Sequence, residues 1–165
     1  MQDWPQIIEN FGPVVWKQAL RMLGNESDAA DCFQTVIMEA YELSQREQVQ
    51  SWPALLKRLA TLRSIDFLRS RYRRRTESLP EVELGDPSSQ HATESIDNQN
   101  LAEHLRREIA LLPTDQAEAF SLRWIDGLPN EEVARSMNMT TNHAAVLIHR
   151  ARVTLRDKLT RQQEQ

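Results

Sequence analysis

The residues able to do chemistry in this 165-residue chain are cations and acids sorted into blocks rather than nucleophiles. Residues 57–75 hold Lys57, Arg58, Arg63, Arg69, Arg71, Arg73, Arg74 and Arg75 against Asp66 alone. On one helix, each like-charged pair a turn apart costs about 0.2–0.5 kcal/mol unless an anion offsets it. The phosphate backbone of nucleic acid is the anion that suits such a row. Phosphate contacts supply affinity and little reading of sequence. The plainer alternative is a solvated charged face. A second basic island, Arg150, Arg152, Arg156, Lys158 and Arg161, faces Asp157 alone. Residues 76–100 hold Glu77, Glu81, Glu83, Asp86, Glu94 and Asp97 with no Lys or Arg. The net charge of −4 therefore hides two polyanion-seeking places on an acidic chain.

Catalysis has little to work with. The four histidines are His91, His104, His143 and His149, and none falls in a metal-ligand spacing such as HExxH. His143 and His149 are six apart, which does not stack them on one helical face. There are four glycines and no glycine-rich phosphate loop. Cys32 stands alone, so neither an internal disulfide nor a cysteine metal cluster can form, and its place on an apolar stripe reads as a packed thiol. No catalytic residue, metal or cofactor is expected. No apolar run reaches membrane-spanning length, and MQDWPQIIEN lacks a signal peptide's basic start and apolar core. The expectation is a soluble, cytoplasmic protein with no membrane insertion and no small-molecule substrate.

Helices must position these charges, because no strand pattern and no internal repeat occurs. Trp4, Ile7, Ile8 and Phe11, then Val15, Ala19, Met22 and Leu23, give an apolar stripe that Gly12-Pro13 interrupts. A short helix, a bend and a second helix are expected there, stopped by Gly24-Asn25. Asn25 or Ser27 can cap the next helix, whose stripe is Ala29, Cys32, Phe33, Val36, Ile37, Ala40 and Tyr41. Its opposite face shows Asp28, Asp31, Thr35 and Glu39, either solvated or facing a basic partner. Ser44–Ser51 is a polar loop. Ser51 caps the basic helix, with Pro53 in its first turn. Thr76–Asn100, rich in Pro, Gly, Ser, Thr and acids, reads as a flexible acidic linker.

The second half begins with Leu101, Leu105, Ile109 and Leu112, stopped by Pro113. Thr114 or Asp115 caps the following helix, with Glu118 placed for a capping box, and Ala117, Phe120, Trp124 and Leu128 form its stripe. Then comes LPNEEVARSMNMTTNHAAVLIHRARVTLRDK. Val133, Ala134 and Met137 mark a short helix, Met137-Asn138-Met139 a tight turn, and Ala144, Ile148, Ala151, Leu155 and Leu159 a second helix capped by Thr140 or Thr141. Two short helices joined by a turn, the second turning basic, have the form of a helix-turn-helix, or of an ordinary helical hairpin.

Three separated stretches, LRMLGNESDAADCFQTV, LATLRSIDFLRSRYRRR and ALLPTDQAEAFSLRWIDGLPNEEVARSMNMTTNHAAVLIHRARVTLRDKL, together resemble the bacterial RNA polymerase sigma factors of the extracytoplasmic-function group. The resemblance covers nearly the whole chain outside the linker. It implies an all-α fold of two small helical domains. Residues 1–76 would bind core polymerase and the minus-ten promoter element, 77–98 would be the linker, and 99–165 would carry the helix-turn-helix for the minus-thirty-five element. It implies polymerase contacts from Asp28, Asp31, Gln34 and Glu39. Arg58, Arg63, Arg69, Arg71, Arg73 and Arg74 would engage and melt minus-ten DNA, and the Ser44–Ser51 loop would take a flipped base. Core RNA polymerase and promoter DNA are the implied partners, and an anti-sigma factor is a further one the resemblance allows.

The departures bear on strength. Leu55 and Leu62 stand where the family commonly has Trp and Asn, and Ala30, Thr35 and Val36 where Glu, Glu and Thr are frequent. Asn138 stands where Gly is usual in the turn, a mild change because Asn tolerates a left-handed backbone. Ala145 and Leu147 stand where Lys or Arg is frequent. Base reading then falls to Thr141, Asn142, His143 and Val146, with Arg150 nearer phosphate, and the more dependable grip on DNA is expected in residues 57–75. A polymerase-independent helix-turn-helix regulator, a sigma-like decoy and, remotely, an enzyme of nucleic-acid chemistry remain as alternatives.

Overall fold

A computed structural model describes residues 2–77 and 93–164. Seven α-helices form among the described residues, with no strand. The first three are α1 (Trp4–Leu23), α2 (Glu26–Arg46) and α3 (Trp52–Glu77). The rest are α4 (Thr93–Leu111), α5 (Thr114–Phe120), which runs into a π-helical turn over Ser121–Ile125, α6 (Asn130–Ser136) and α7 (Thr141–Gln163).

The expected break into two helices at Gly12-Pro13 does not occur: a single helix, α1, continues through both residues. Proline removes one hydrogen bond to the carbonyl four residues back. Here Glu9 and Pro13 are both exposed, on the solvent side of the helix, where a freed carbonyl costs least. Gly12 lies against the Phe33 ring, 3.5 Å from where a Cβ would sit. At the other end Gly24 adopts φ 75° and its N–H closes the helix on the Leu20 carbonyl, while Asn25 caps α2 by accepting from the Asp28 N–H at 2.8 Å.

Three further boundaries differ from expectation. α2 continues through Ser44–Arg46, so the loop before α3 is Glu47–Ser51. α4 begins at Thr93, inside the expected linker 77–98, where no Pro or Gly lies between Pro87 and Pro113 to interrupt a helix. The expected linker's remaining residues, 78–92, lie outside the described ones. The capping box at Asp115 and Glu118 is absent, because Glu118 is buried and turned to Arg58.

Two apolar clusters build the halves. Val15 and Leu23, Cys32 and Val36, and Leu56 and Leu68 pack α1, α2 and α3 together. Leu122, Val133, Ala144, Leu147 and Ile148 do the same for α5, α6 and α7. A third cluster joins them: Met22 and Ile65 of the first half pack with Ile109, Leu112, Ala117, Ala151 and Leu155 of the second. The halves are thus fastened by shared apolar burial as well as by charge. Gln18 is buried and donates to Thr61 at 3.0 Å, a polar tie between α1 and α3 inside the first core.

Candidate nucleic-acid and protein interfaces

The helix-turn-helix geometry is built by one residue. Asn138 sits at φ 54°, the left-handed conformation the tight turn needs, and it brings α6 onto α7. Thr140 caps α7 by accepting from the His143 N–H at 3.2 Å. Ala144, Leu147, Ile148 and Ala151 point into the core. Thr141, Asn142, His143, Val146 and Arg150 are therefore left exposed on the outer side of α7's first turns, with His149 beside them. Val146 is 43% exposed while Leu147 is 3%, which separates a surface side chain from a core one at adjacent positions. A row of amide, hydroxyl, imidazole and methyl groups on an open helix N-terminal half suits a major groove.

α3 is arranged differently. Its apolar side, Leu56, Leu59, Leu68 and Tyr72, is buried, and several of its cations turn onto protein. Arg58 Nε lies 2.8 Å from Glu118 Oε1, whose side chain is 5% exposed. Lys57 Nζ lies 3.7 Å from the Asp126 carboxylate, an ion pair without a hydrogen bond. Arg63 pairs with Asp66 at 2.6 Å and lies 2.9 Å from Glu39. Arg69 donates to the carbonyls of Ala110 (3.0 Å) and Leu112 (2.9 Å) and to Thr114 Oγ1 (3.0 Å). Arg71 bonds the Asp28 carboxylate and the Leu23 carbonyl. Arg73 and Arg74 are exposed and, among the described residues, meet no acid within ion-pair distance.

These contacts set the local titration. Burial works to raise the Asp28 pKa, but hydrogen bonds from Arg71 and Asn25 and the charges of Arg71 and Arg74 outweigh it, leaving the pKa below its usual value. Burial opposes the charge on Arg71, and its bond to Asp28 with the nearby Glu103 more than restores it, so Arg71 holds its proton more firmly than usual. The Tyr72 hydroxyl is pushed up to about 12, first by burial and then by the bond and charge of Glu103, to which it donates at 2.7 Å. Burial raises the Cys32 thiol, in keeping with a packed side chain 3.6 Å from Ser64 Oγ.

On α2 the four acid-face candidates divide. Asp31 and Gln34 are exposed one turn apart, whereas Asp28 and Glu39 are engaged by Arg71 and Arg63. The same open strip continues to Met38, 65% exposed, and Tyr41. An unbranched apolar side chain in the open beside polar groups is a common anchor for a protein partner. Sequence periodicity passed over Met38 because it falls between stripes. It also missed Glu103, Arg106, Glu118 and Asp126. The available signal was the acid surplus of residues 103–126 against the cation surplus of 57–75.

Trp124 differs from its expected place in the core stripe. It is 49% exposed, with the guanidinium groups of Arg123 and Arg152 at 4.6 and 5.6 Å from the ring. The π-helical turn over Ser121–Ile125 accommodates one extra residue, which breaks the α-helical register after Phe120. Leu122 and Ile125 face inward in its stead.

The known proteins like this chain point one way. The model of sigma-70 region 2 matches residues 7–74, and that of sigma-70 region 4 matches residues 102–155. The chain is 29% identical over 162 residues to the ECF RNA polymerase sigma factor SigE of Mycolicibacterium smegmatis, covering 98% of itself and 63% of that relative. It thus spans less than two thirds of that protein's length. It is 26% identical over 160 residues to the RNA polymerase sigma-E factor of Streptomyces coelicolor, covering 95% of itself and 86% of the relative. Its fold is shared, with a TM-score of 0.54 at 19% identity, by the sigma factor RpoE of Bartonella quintana in co-crystal with the anti-sigma factor NepR, over 97% of this chain and 98% of that one. Two region models in the right order, taking in most of the chain between them, place it in the sigma-70 family, and it belongs to the extracytoplasmic-function group of sigma factors.

Proposed function

We propose that this chain is a non-enzymatic transcription initiation factor that binds core RNA polymerase and directs it to a specific set of promoters. In this reading the exposed strip of α2 around Asp31 and Gln34 meets the polymerase. α3 engages and melts the minus-ten element, and α7 reads the minus-thirty-five element through Thr141, Asn142, His143 and Val146, with Arg150 on phosphate. The observation that carries it is the outward row on α7. Five polar or small side chains stand clear of the core on a helix set by a left-handed turn, in a chain that matches both sigma regions. Asn pairs with adenine edges and the Val methyls meet the thymine methyl, each good contact worth roughly 1–3 kcal/mol of discrimination. An anti-sigma factor, as bound by the Bartonella quintana neighbour, is a partner of the kind such a chain would have.

The test is run-off transcription with core polymerase and the full chain on a pool of random promoters, with the starts sequenced. Enrichment of two spaced elements supports the reading. An Asn142→Ala variant should relax selection at one position of the upstream element only. Starts that match those of core polymerase alone would remove the assignment.

A further inference from the structure

The last turn of α3 carries a hydroxyl that the proposed DNA contacts do not use. Thr76 is exposed, stands one residue before the helix ends at Glu77, and directly follows Arg73, Arg74 and Arg75. Its Oγ1 donates to the Tyr72 carbonyl at 2.9 Å, four residues back. The helix ladder already directs a backbone N–H to that carbonyl, so giving up the hydroxyl bond costs little.

A kinase that takes cationic substrates reads them with carboxylates, which meet guanidinium groups two and three residues before the acceptor hydroxyl. Thr76 is the one Ser or Thr of the whole sequence with Arg at both positions. Thr61 and Ser78 have Arg at the third position back alone. Thr61 is fully buried, and Ser78 lies outside the described residues. Arg73 and Arg74 are exposed and, among the described residues, have no acid within ion-pair distance, so a kinase meets them unengaged. Arg75 is 59% exposed and lies 3.2 Å from Glu103. Helix ends fray at small cost, which lets a last-turn residue enter an active site.

We propose that Thr76 is a phosphorylation site, read by a Ser/Thr kinase through Arg73 and Arg74, and that its phosphate weakens the grip of α3 on DNA. The kinase transfers the γ-phosphoryl group of ATP to Thr76 Oγ1. An O–P bond forms there, the bond to the β-phosphate oxygen breaks, ADP leaves, and the hydroxyl proton passes to the kinase's base. The product carries nearly two negative charges and three acceptor oxygens. Arg73 lies one turn back on the same helix, at a spacing where side chains meet, and Arg74 and Arg75 border the site. Guanidinium groups drawn to this phosphate no longer serve the DNA backbone. The new charge also stands beside Glu77 and at the negative end of the α3 dipole, which loosens the last turn. Loss of two phosphate contacts lowers the slope of log affinity against log salt by about 1.8 for duplex DNA. The effect on DNA rests on the reading of α3 as a DNA-binding helix; the modification site does not.

The experiment uses the full, folded chain with ATP and an arginine-directed Ser/Thr kinase, and reads the product by intact mass and peptide mapping. One phosphoryl group per chain, on Thr76, is expected. Thr76→Ala should stay unmodified and bind DNA as the untreated chain does, while Ser78→Ala should leave the yield unchanged. The modified chain should bind a labelled duplex at least about tenfold more weakly at low salt, with the shallower slope, and a phosphatase should restore both. No incorporation into the folded chain, or incorporation at another residue, would overturn the site. Modification of Thr76 with affinity and slope unchanged would overturn the switch. Arg73→Ala with Arg74→Ala on the untreated chain then separates the two failures. If that variant weakens binding, α3 contacts DNA and only the effect of the phosphate is wrong; if it too changes nothing, the reading of α3 fails.

Discussion

Removing either partner of the Arg58–Glu118 pair should cost unequal amounts of stability. The Glu118 side chain is 5% exposed and Arg58 is 43% exposed, with 2.8 Å between Nε and Oε1. Arg58→Ala leaves a buried carboxylate with no counter-charge. Stranding a fully buried charge costs about 3–5 kcal/mol, and water reaching through the gap left by Arg58 lowers that to roughly 2 kcal/mol here. Glu118→Gln keeps the volume and a hydrogen-bond acceptor, and the half-exposed Arg58 turns to solvent, so the loss should stay below about 1 kcal/mol. The double variant should cost less than the sum by about 1 kcal/mol, because the stranded carboxylate is then gone. Urea unfolding of the full chain, compared at constant slope, measures all three. Equal costs for the two single variants, or simple addition in the double, would show that the pair is absent in solution and that the halves are not held as described.

Four other outcomes follow from the same contacts. Gly24→Ala forces a left-handed φ on a residue with a Cβ and sets that atom 2.5 Å from the Arg106 guanidinium carbon, so it should cost about 2 kcal/mol in urea and loosen the cap on α1. Tyr72, raised from 10 to about 12, favours the folded state fully below pH 10, and that contribution is lost as pH rises from 10 through 12; Tyr72→Phe should flatten the alkaline limb of stability. Asp28 has a lowered pKa, so its contribution is complete above its unfolded value of 3.8 and is lost as pH falls below it; Asp28→Asn should flatten the acid limb. Asp31→Lys with Gln34→Lys, both exposed, should abolish co-purification with core polymerase while leaving circular dichroism and the urea midpoint unchanged.

Local rules reached the elements and stopped at the contacts between them. The caps at Asn25 and Thr140, the stop at Gly24 and the turn at Asn138 depend on residues within four positions of one another, and all were legible in the chain. Pro13 misled because its cost depends on whether the orphaned carbonyl faces water, which periodicity does not state. Trp124 misled because a single π-helical turn shifts every later residue off the α-helical stripe. Glu118 suited a capping box three residues after Asp115, and a partner sixty positions away, Arg58, took it instead. Long-range pairing leaves no mark at a spacing of three or four.

The same limit changes which DNA contact is the conditional one. By composition, residues 57–75 were the firmer grip and the cation-poor α7 the weaker. In the folded chain Arg58, Arg69 and Arg71 have protein partners, and Arg73 and Arg74 are the α3 candidates that stand exposed with no acid in ion-pair distance among the described residues. The self-repulsion that pointed to an outside anion is met in part by Glu39, Asp28, Glu103 and Glu118. The reading row of α7, by contrast, keeps Thr141, Asn142, His143, Val146 and Arg150 open in this same arrangement. On the proposed reading, α7 meets base edges without rearrangement, while Arg58, Arg69 and Arg71 of α3 must first give up carboxylates and carbonyls.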